Sequence, residues 1–178
     1  MVILGIDPGT IVTGFGIVYC KGNEIRQLKS GVISLSSNLE LPQKLELIYD
    51  EIDSLIKIHT PDEFAIETSF YGKNVQSAMK ISYARGVSIL AAVHNNIPTS
   101  EYSPREVKKS VVGRGAATKE QVQFMIRKLL AIREKSIKFD ETDALAVAVC
   151  HFFKMNSPVK SSGSWKNFIK ENPDKVVG

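Results

Sequence analysis

Four carboxylates stand at positions where they could act together on a metal ion. Asp7 and Glu67 each follow a short apolar run that is typical of a buried strand. Asp140 and Asp143 are three residues apart, a spacing that puts both side chains on one face at the start of a helix. Carboxylates that are gathered in one place repel each other unless a cation neutralises them.

The chemistry that such a cluster supports depends on its donor atoms. Oxygen ligands without His or Cys suit Mg²⁺ or Mn²⁺ better than zinc. Two such ions about 3.5–4 Å apart can activate a water molecule and stabilise the leaving oxygen when a phosphodiester is cleaved. Each carboxylate also has an ordinary explanation, as a turn residue, a strand end or a helix N-cap. The joint placement of all four favours a metal-dependent nuclease.

The elements that would position these carboxylates follow from the hydrophobic pattern. Apolar runs with β-branched residues predict strands at 2–6, 13–19, 24–35, 64–67 and 97–102. Helical spacing predicts helices over 41–58, 74–95, 104–112, 118–131 and 140–153. Three strands followed by alternating helices and strands predict an α/β fold with a five-stranded mixed sheet flanked by helices. In such sheets functional groups gather at the carboxyl ends of the strands.

Charge is unevenly distributed along the chain. The formal net charge is +4, but residues 103–138 contain ten Lys or Arg and only three Glu, which indicates a polyanionic partner. A solvated helical face is the alternative interpretation. From residue 156 the sequence is rich in Ser, Pro, Gly and Lys, so we expect one folded domain over 1–155 and a basic, mobile tail over 156–178.

The composition is ordinary for a soluble globular protein, with 43% hydrophobic and 24% charged residues. No apolar run reaches the length that spans a bilayer, and the N-terminal residues lack the basic start of a signal peptide. Cys20 and Cys150 form no paired motif. We therefore expect a cytoplasmic protein, without membrane contact, in which both thiols are buried.

Short motifs occur through most of the chain in a recognisable order. They are LGIDPGT at 4–10, TGFG at 13–16, FAIE at 64–67, Phe70, KN at 73–74, SA at 77–78, ARGV at 84–87, VK at 107–108, VVG at 111–113, Asp140 and DALA at 143–146. This order resembles the RuvC family of crossover junction (Holliday junction) endodeoxyribonucleases. The resemblance implies a ribonuclease-H-like nuclease domain, a homodimer, and symmetric paired nicks in four-way junction DNA during recombination and repair. It also implies branch-migration helicase machinery as a partner.

The same resemblance implies roles for individual residues. The four carboxylates match the catalytic metal ligands, which would hold two Mg²⁺ ions per active site, with Mn²⁺ as a substitute. Two catalytic lysines, Lys108 and Lys119, match positions near the scissile phosphate, where they would stabilise its charge.

Three further residues are candidate DNA contacts. Phe70 matches an aromatic residue that stacks on bases at the opened crossover, and it lies in a predicted loop. Lys73 belongs to the same loop. Arg114 stands between two glycines and is a candidate phosphate contact.

The helix predicted over 74–95 has apolar or small residues on more than one side. Such a helix is usually buried twice, against its own sheet and against a partner. We therefore expect a two-fold homodimer in which Met79 faces outward, with Ala78, Ala91 and Ala92 permitting close approach.

Three other functions fit parts of the pattern. Asp7-x-Gly9-Thr10 also resembles the first phosphate loop of actin-like ATPases and sugar kinases, which need a second lobe that 178 residues do not supply. A non-catalytic junction-binding scaffold has no need of four converging acids. A nuclease acting on ribosomal RNA precursors is the third alternative, and the Asp140/Asp143 pair with the aromatic loop favours the junction enzyme over it.

Overall fold

The computed structural model describes residues 1–68, 75–133 and 137–157. These ranges contain five strands: β1 Val2–Asp7, β2 Val12–Lys21, β3 Glu24–Ser34, β4 Glu63–Glu67 and β5 Thr99–Tyr102. They form one sheet in the order β3-β2-β1-β4-β5. The first three strands make an antiparallel meander, whereas β4 runs parallel to β1 and β5 parallel to β4. The predicted five-stranded mixed sheet is confirmed.

The described residues also form five helices: α1 Leu41–His59, α2 Val75–His94, α3 Pro104–Val112, α4 Lys119–Leu129 and α5 Phe139–Asn156. α1 and α2 cover one face of the sheet, where they pack on side chains such as Leu4 and Ile66. α3, α4 and α5 share a core with side chains of the other face, among them Ile3 and Ala65. Alternation along each strand divides the apolar residues between these two cores.

Local sequence fixes where three of the helices begin. α3 starts at a capping box in which Ser103 and Glu106 exchange hydrogen bonds, and α4 starts at the equivalent pair Thr118 and Gln121. α1 has a capping box at Glu40. The N-cap of α5, Lys138, makes no side-chain capping bond. The first turn of α5 therefore lacks the side-chain cap that α3 and α4 have.

α5 is the central helix of the molecule and lies unusually close to the sheet. A Cβ atom at Gly5 would overlap the backbone of Ala144, and one at Gly14 would overlap the carbonyl of Asp140. At Gly16 a Cβ would lie 2.8 Å from the side chain of Leu145. Glycine at these positions lets the helix rest directly on β1 and β2.

α2 has an apolar outer face, but its alanines are not on it. Ala78, Ala91 and Ala92 are buried within this chain, so the prediction that they permit close approach of a second copy is wrong. The prediction failed because α2 is apolar on several sides, so its pattern could not tell which small residues turn inward. The exposed apolar residues of α2 are Val75, Met79, Tyr83, Leu90 and Val93.

Two expectations from composition can be compared directly with the structure. Cys20 and Cys150 are both buried thiols, as predicted. Within the described ranges, no helix is long and apolar enough to cross a membrane.

Candidate active site

The ends of two neighbouring strands bring the first two carboxylates together. β1 and β4 are parallel, and Ile6 pairs with Ile66, so the following residues, Asp7 and Glu67, lie side by side. Because side chains alternate along a strand, both carboxylates belong to the face of the sheet that α5 covers. β1 and β4 are neighbours in the sheet, which is the condition under which the predicted carboxylates can converge.

The first turn of α5 adds the other two carboxylates. The backbone of Asp140 lies directly over Gly14, and Gly14 pairs with Asp7 across β1 and β2. Asp143 is one turn further along α5 and interacts electrostatically with both Asp7 and Glu67. The close contact of α5 with the sheet thus places all four carboxylates in one electrostatic neighbourhood.

The surroundings of Asp7 and Glu67 disfavour the ionised form of their carboxyl groups. Burial, together with the charges of Asp143 and Asp140, raises the pKa of Asp7 to about 7, although Lys119 opposes the shift. Burial and the charges of Asp7 and Asp143 raise the pKa of Glu67 to about 8. Clustered oxygen donors that repel one another in this way fit a divalent cation, which would remove the repulsion.

Lys119 is the basic residue that is hydrogen-bonded within the cluster. It is the first residue of α4, and its Nζ donates a hydrogen bond of 2.6 Å to Oδ2 of Asp143. Partial burial lowers the pKa of Lys119, but the bond to Asp143 and the nearby carboxylates raise it more, so it stays above the ordinary lysine value. Lys108 on α3 also lowers the pKa of Glu67, so both predicted lysines act electrostatically on the carboxylate cluster.

The described carboxylates are not arranged as a complete set of metal ligands. Among the described residues, no three His, Cys, Asp or Glu side chains are arranged as a ready set of ligands. Asp143 is instead paired with the ammonium of Lys119. A metal ion that uses Asp143 as a ligand would therefore compete with Lys119 for this carboxylate.

The predicted DNA contacts have different outcomes. Arg114 is exposed in the turn between α3 and α4. Phe70 and Lys73, which come between β4 and α2 in the chain, lie outside the described residues. Residues 158–178 of the predicted tail also lie outside them.

One polar network behind the site was missed by the sequence reasoning. The Tyr102 hydroxyl and Nδ1 of His151 are 2.8 Å apart and share a hydrogen bond, and Nε2 of this histidine is 3.5 Å from Glu63. Burial lowers the pKa of His151, although Glu63 opposes the shift. The backbone N–H of Thr68 donates to the carbonyl of Tyr102, so the network is connected to the residue after Glu67. A histidine inside the apolar α5 sequence was the available signal.

Sequence comparison identifies relatives over nearly the whole chain. The family model described as "Crossover junction endodeoxyribonuclease RuvC" matches residues 3–151. A Cytophaga hutchinsonii protein of that description is 49% identical over 98% of this chain and 88% of its own length. A Porphyromonas gingivalis protein of the same description is 43% identical over 98% of this chain and 96% of its own.

Structure comparison gives the same neighbours. Thermus thermophilus RuvC in complex with a Holliday junction substrate superimposes with a TM-score of 0.82 at 31% identity, covering 87% of this chain and 94% of that one. The yeast mitochondrial Holliday junction resolvase Ydc2 has a TM-score of 0.58 at 14% identity, covering 83% of this chain and 77% of its own, and this likeness extends to the fold alone.

Proposed function

This chain belongs to the RuvC family of crossover junction endodeoxyribonucleases, and from that premise we propose that it resolves four-way DNA junctions by metal-dependent hydrolysis. The observation that supports this most strongly is the meeting of Asp7 and Glu67 at neighbouring strand ends beneath the first turn of α5. The proposed product is a pair of symmetric nicks in two strands of the junction.

The metal ligands in this proposal are Asp7, Glu67, Asp140 and Asp143. Their oxygen-only donor set suits two Mg²⁺ ions, with Mn²⁺ as a substitute. When bound, such ions supply an activated water and stabilise the charge on the leaving oxygen. The raised pKa values of Asp7 and Glu67 support this assignment, because they reflect burial of both carboxyls and repulsion by the neighbouring carboxylates, which a bound cation would offset.

Two lysines complete the proposed catalytic set. Lys119 already donates to a carboxylate of the cluster, so its ammonium is within reach of a phosphate that binds beside Asp143. Lys108 contributes positive potential on the side of Glu67. We assign both to stabilisation of the charge that develops on the scissile phosphate.

Binding of the junction would use the surface around this site. Arg114 is exposed on the connection between α3 and α4, the two helices that carry Lys108 and Lys119. We propose that Arg114 contacts a phosphate, that Phe70 stacks on a base at the crossover, and that Lys73 supports the same loop. Stacking of this kind contributes roughly 1–3 kcal/mol per base.

The working unit in this proposal is a two-fold homodimer formed through the exposed apolar face of α2. Met79 is 50% exposed and Val93 53%, and a contiguous apolar face of this kind usually marks an interface. Gly86 lies between them on the same face, where a glycine allows a second helix to approach. A symmetric dimer suits a junction that offers two equivalent strands. We further propose that the enzyme acts on DNA in the cytoplasm, with branch-migration helicase machinery as its partner.

A labelled synthetic four-way junction tests the proposal. In Mg²⁺, the protein should introduce one nick in each of two opposed strands near the crossover and leave a linear duplex of the same sequence intact. Asp7→Asn, which keeps the shape of the ligand but removes its charge, should bind the junction without cutting it. Equal cleavage of junction and duplex, or normal cleavage by the Asp7→Asn variant, would contradict the proposal.

A further inference from the structure

β3 contains one residue that has no pairing partner in the neighbouring strand β2. Ile17 of β2 pairs with Lys29, but the next residue, Val18, pairs with Gln27, so Leu28 is the extra residue of a β-bulge. The bulge changes which way the side chains of β3 face. Ile25 packs in the core beneath α5 and Ile33 in the core beneath α1 and α2, although they are eight residues apart. In a regular strand an even separation keeps two side chains on the same face.

The bulge therefore brings two polar side chains to the α5 side of the sheet. Gln27 and Ser30 are three residues apart, a separation that would place them on opposite faces of a regular strand. Here Nε2 of Gln27 donates a 2.7 Å hydrogen bond to Oγ of Ser30, and this hydroxyl donates a 2.6 Å hydrogen bond to Oε1 of Glu141. A short chain of hydrogen bonds thus joins β3 to the first turn of α5.

The position of Glu141 makes this connection relevant to the active site. Glu141 stands between Asp140 and Asp143, in a first turn that has no side-chain cap of its own. On the opposite side, α4 holds the same region through two bonds. Nε2 of Gln123 donates to the carbonyl of Ile137 at 3.0 Å, and Lys119 pairs with Asp143. The start of α5 is therefore tied on the sheet side to β3 and on the other side to α4.

We propose that the β3 bulge at Leu28, through Gln27, Ser30 and Glu141, positions the first turn of α5 and thereby sets the distance of Asp140 and Asp143 from Asp7. These three are positioning residues, because they act through the helix and not on the substrate. The inference rests on the proposed function, in which those carboxylates bind metal. Bulges beside active sites commonly re-aim side chains in this way.

The test measures metal binding separately from cleavage. Ser30→Ala and Glu141→Ala should weaken Mn²⁺ binding to the DNA-free protein, followed by electron paramagnetic resonance, by about 10-fold, the lower range for groups that orient metal ligands. The Mg²⁺ concentration for half-maximal junction cleavage should rise in parallel. Junction affinity measured without divalent metal should be unchanged. Ser34→Ala, a change to an exposed serine at the end of the same strand, is the matched control.

Two conservative variants separate positioning from charge. Ser30→Thr keeps a hydroxyl donor, and Glu141→Gln keeps an oxygen acceptor without its charge, so both should bind Mn²⁺ nearly as wild type does. Equal losses in Glu141→Gln and Glu141→Ala would overturn the inference in favour of a simple charge effect. Wild-type Mn²⁺ affinity in Ser30→Ala would overturn it as well. If the wild-type protein itself neither binds Mn²⁺ nor cuts junctions, the proposed function fails instead.

Discussion

At the scale of single residues, Asp7 and Glu67 are carboxylic acids in surroundings that favour their protonated forms. Their pKa values of about 7 and about 8 lie above the ordinary values of 3.8 and 4.5. At pH values between the ordinary and the raised pKa of each group, the folded chain binds more protons than the unfolded chain. The free energy of unfolding contributed by these groups is therefore greatest at low pH and falls as the pH rises to about 8.

This linkage gives a prediction for the metal-free protein. Asp7→Asn should raise the free energy of unfolding at pH 8.5 by at least about 1 kcal/mol, the value of a single pKa unit, and should have much less effect at pH 5. Urea denaturation at both pH values, in the presence of a chelator, measures the difference. Comparison with the variant isolates Asp7 from the other groups that titrate. An equal effect at both pH values would mean that folding does not raise the pKa of the Asp7 carboxyl.

Lys119 gives a second prediction at this scale. Lys119→Ala should lower the cleavage rate more than it weakens junction binding if, as we propose, the ammonium stabilises the charge that develops on the phosphate and not only the bound ground state. The optimum of cleavage should also move to higher pH, since this lysine lowers the pKa of Asp7 and Glu67. Single-turnover rates across pH, with binding measured in parallel, provide the test. Equal losses of rate and affinity would reduce Lys119 to an electrostatic contact.

At the scale of elements, the distance between α5 and the sheet depends on glycine. Gly14→Ala would place a methyl group against the carbonyl of Asp140, so the helix must move outward. Overpacking of this kind costs roughly 1–3 kcal/mol, and here it also displaces a carboxylate. We expect a lower thermal midpoint and a higher Mg²⁺ requirement for junction cleavage. Wild-type behaviour in both measurements would show that the contact does not position the site.

The same scale shows what a sequence can predict. The helix and strand bounds were predicted within a few residues because apolar periodicity, caps and turn residues are local signals. The bulge at Leu28 was not predicted, since a shift of one residue is visible only in the pairing of two strands. The close approach of α5 was missed for a similar reason, because glycine in a strand has no side chain whose pattern could show what packs against it.

Some residues of the candidate site could likewise be predicted from the sequence, and others could not. The residues alone put Asp7 and Glu67 each at the end of an apolar strand, but only the sheet order shows that these two strands are neighbours. Lys108 and Lys119 were found only through family resemblance, since an isolated lysine on a helix has no local feature that distinguishes it. The network of Tyr102 and His151 was not predicted at all, because it joins residues that are 49 positions apart.

At the scale of the whole molecule, the dimer can be tested through α2. Met79→Glu should yield monomers that keep their secondary structure but no longer nick both strands of a junction together. Light scattering and circular dichroism measure the two properties. Ile58→Glu is the matched control, since this residue is 70% exposed but lies on α1, and it should remain dimeric. A wild-type protein that is monomeric at micromolar concentration, both alone and on junction DNA, would exclude the dimer.

The place of α5 in the chain has a consequence for the cell during protein synthesis. Asp7 and Glu67 precede α5 in the chain and are translated before it, whereas Asp140 and Asp143 belong to the last described helix. A nascent chain therefore lacks half of the proposed ligands until α5 has been synthesised. Ribosome-bound and prematurely terminated chains that lack α5 should therefore be harmless to the chromosome. The capacity to cut DNA would arise only once α5 has been synthesised and packs against the sheet.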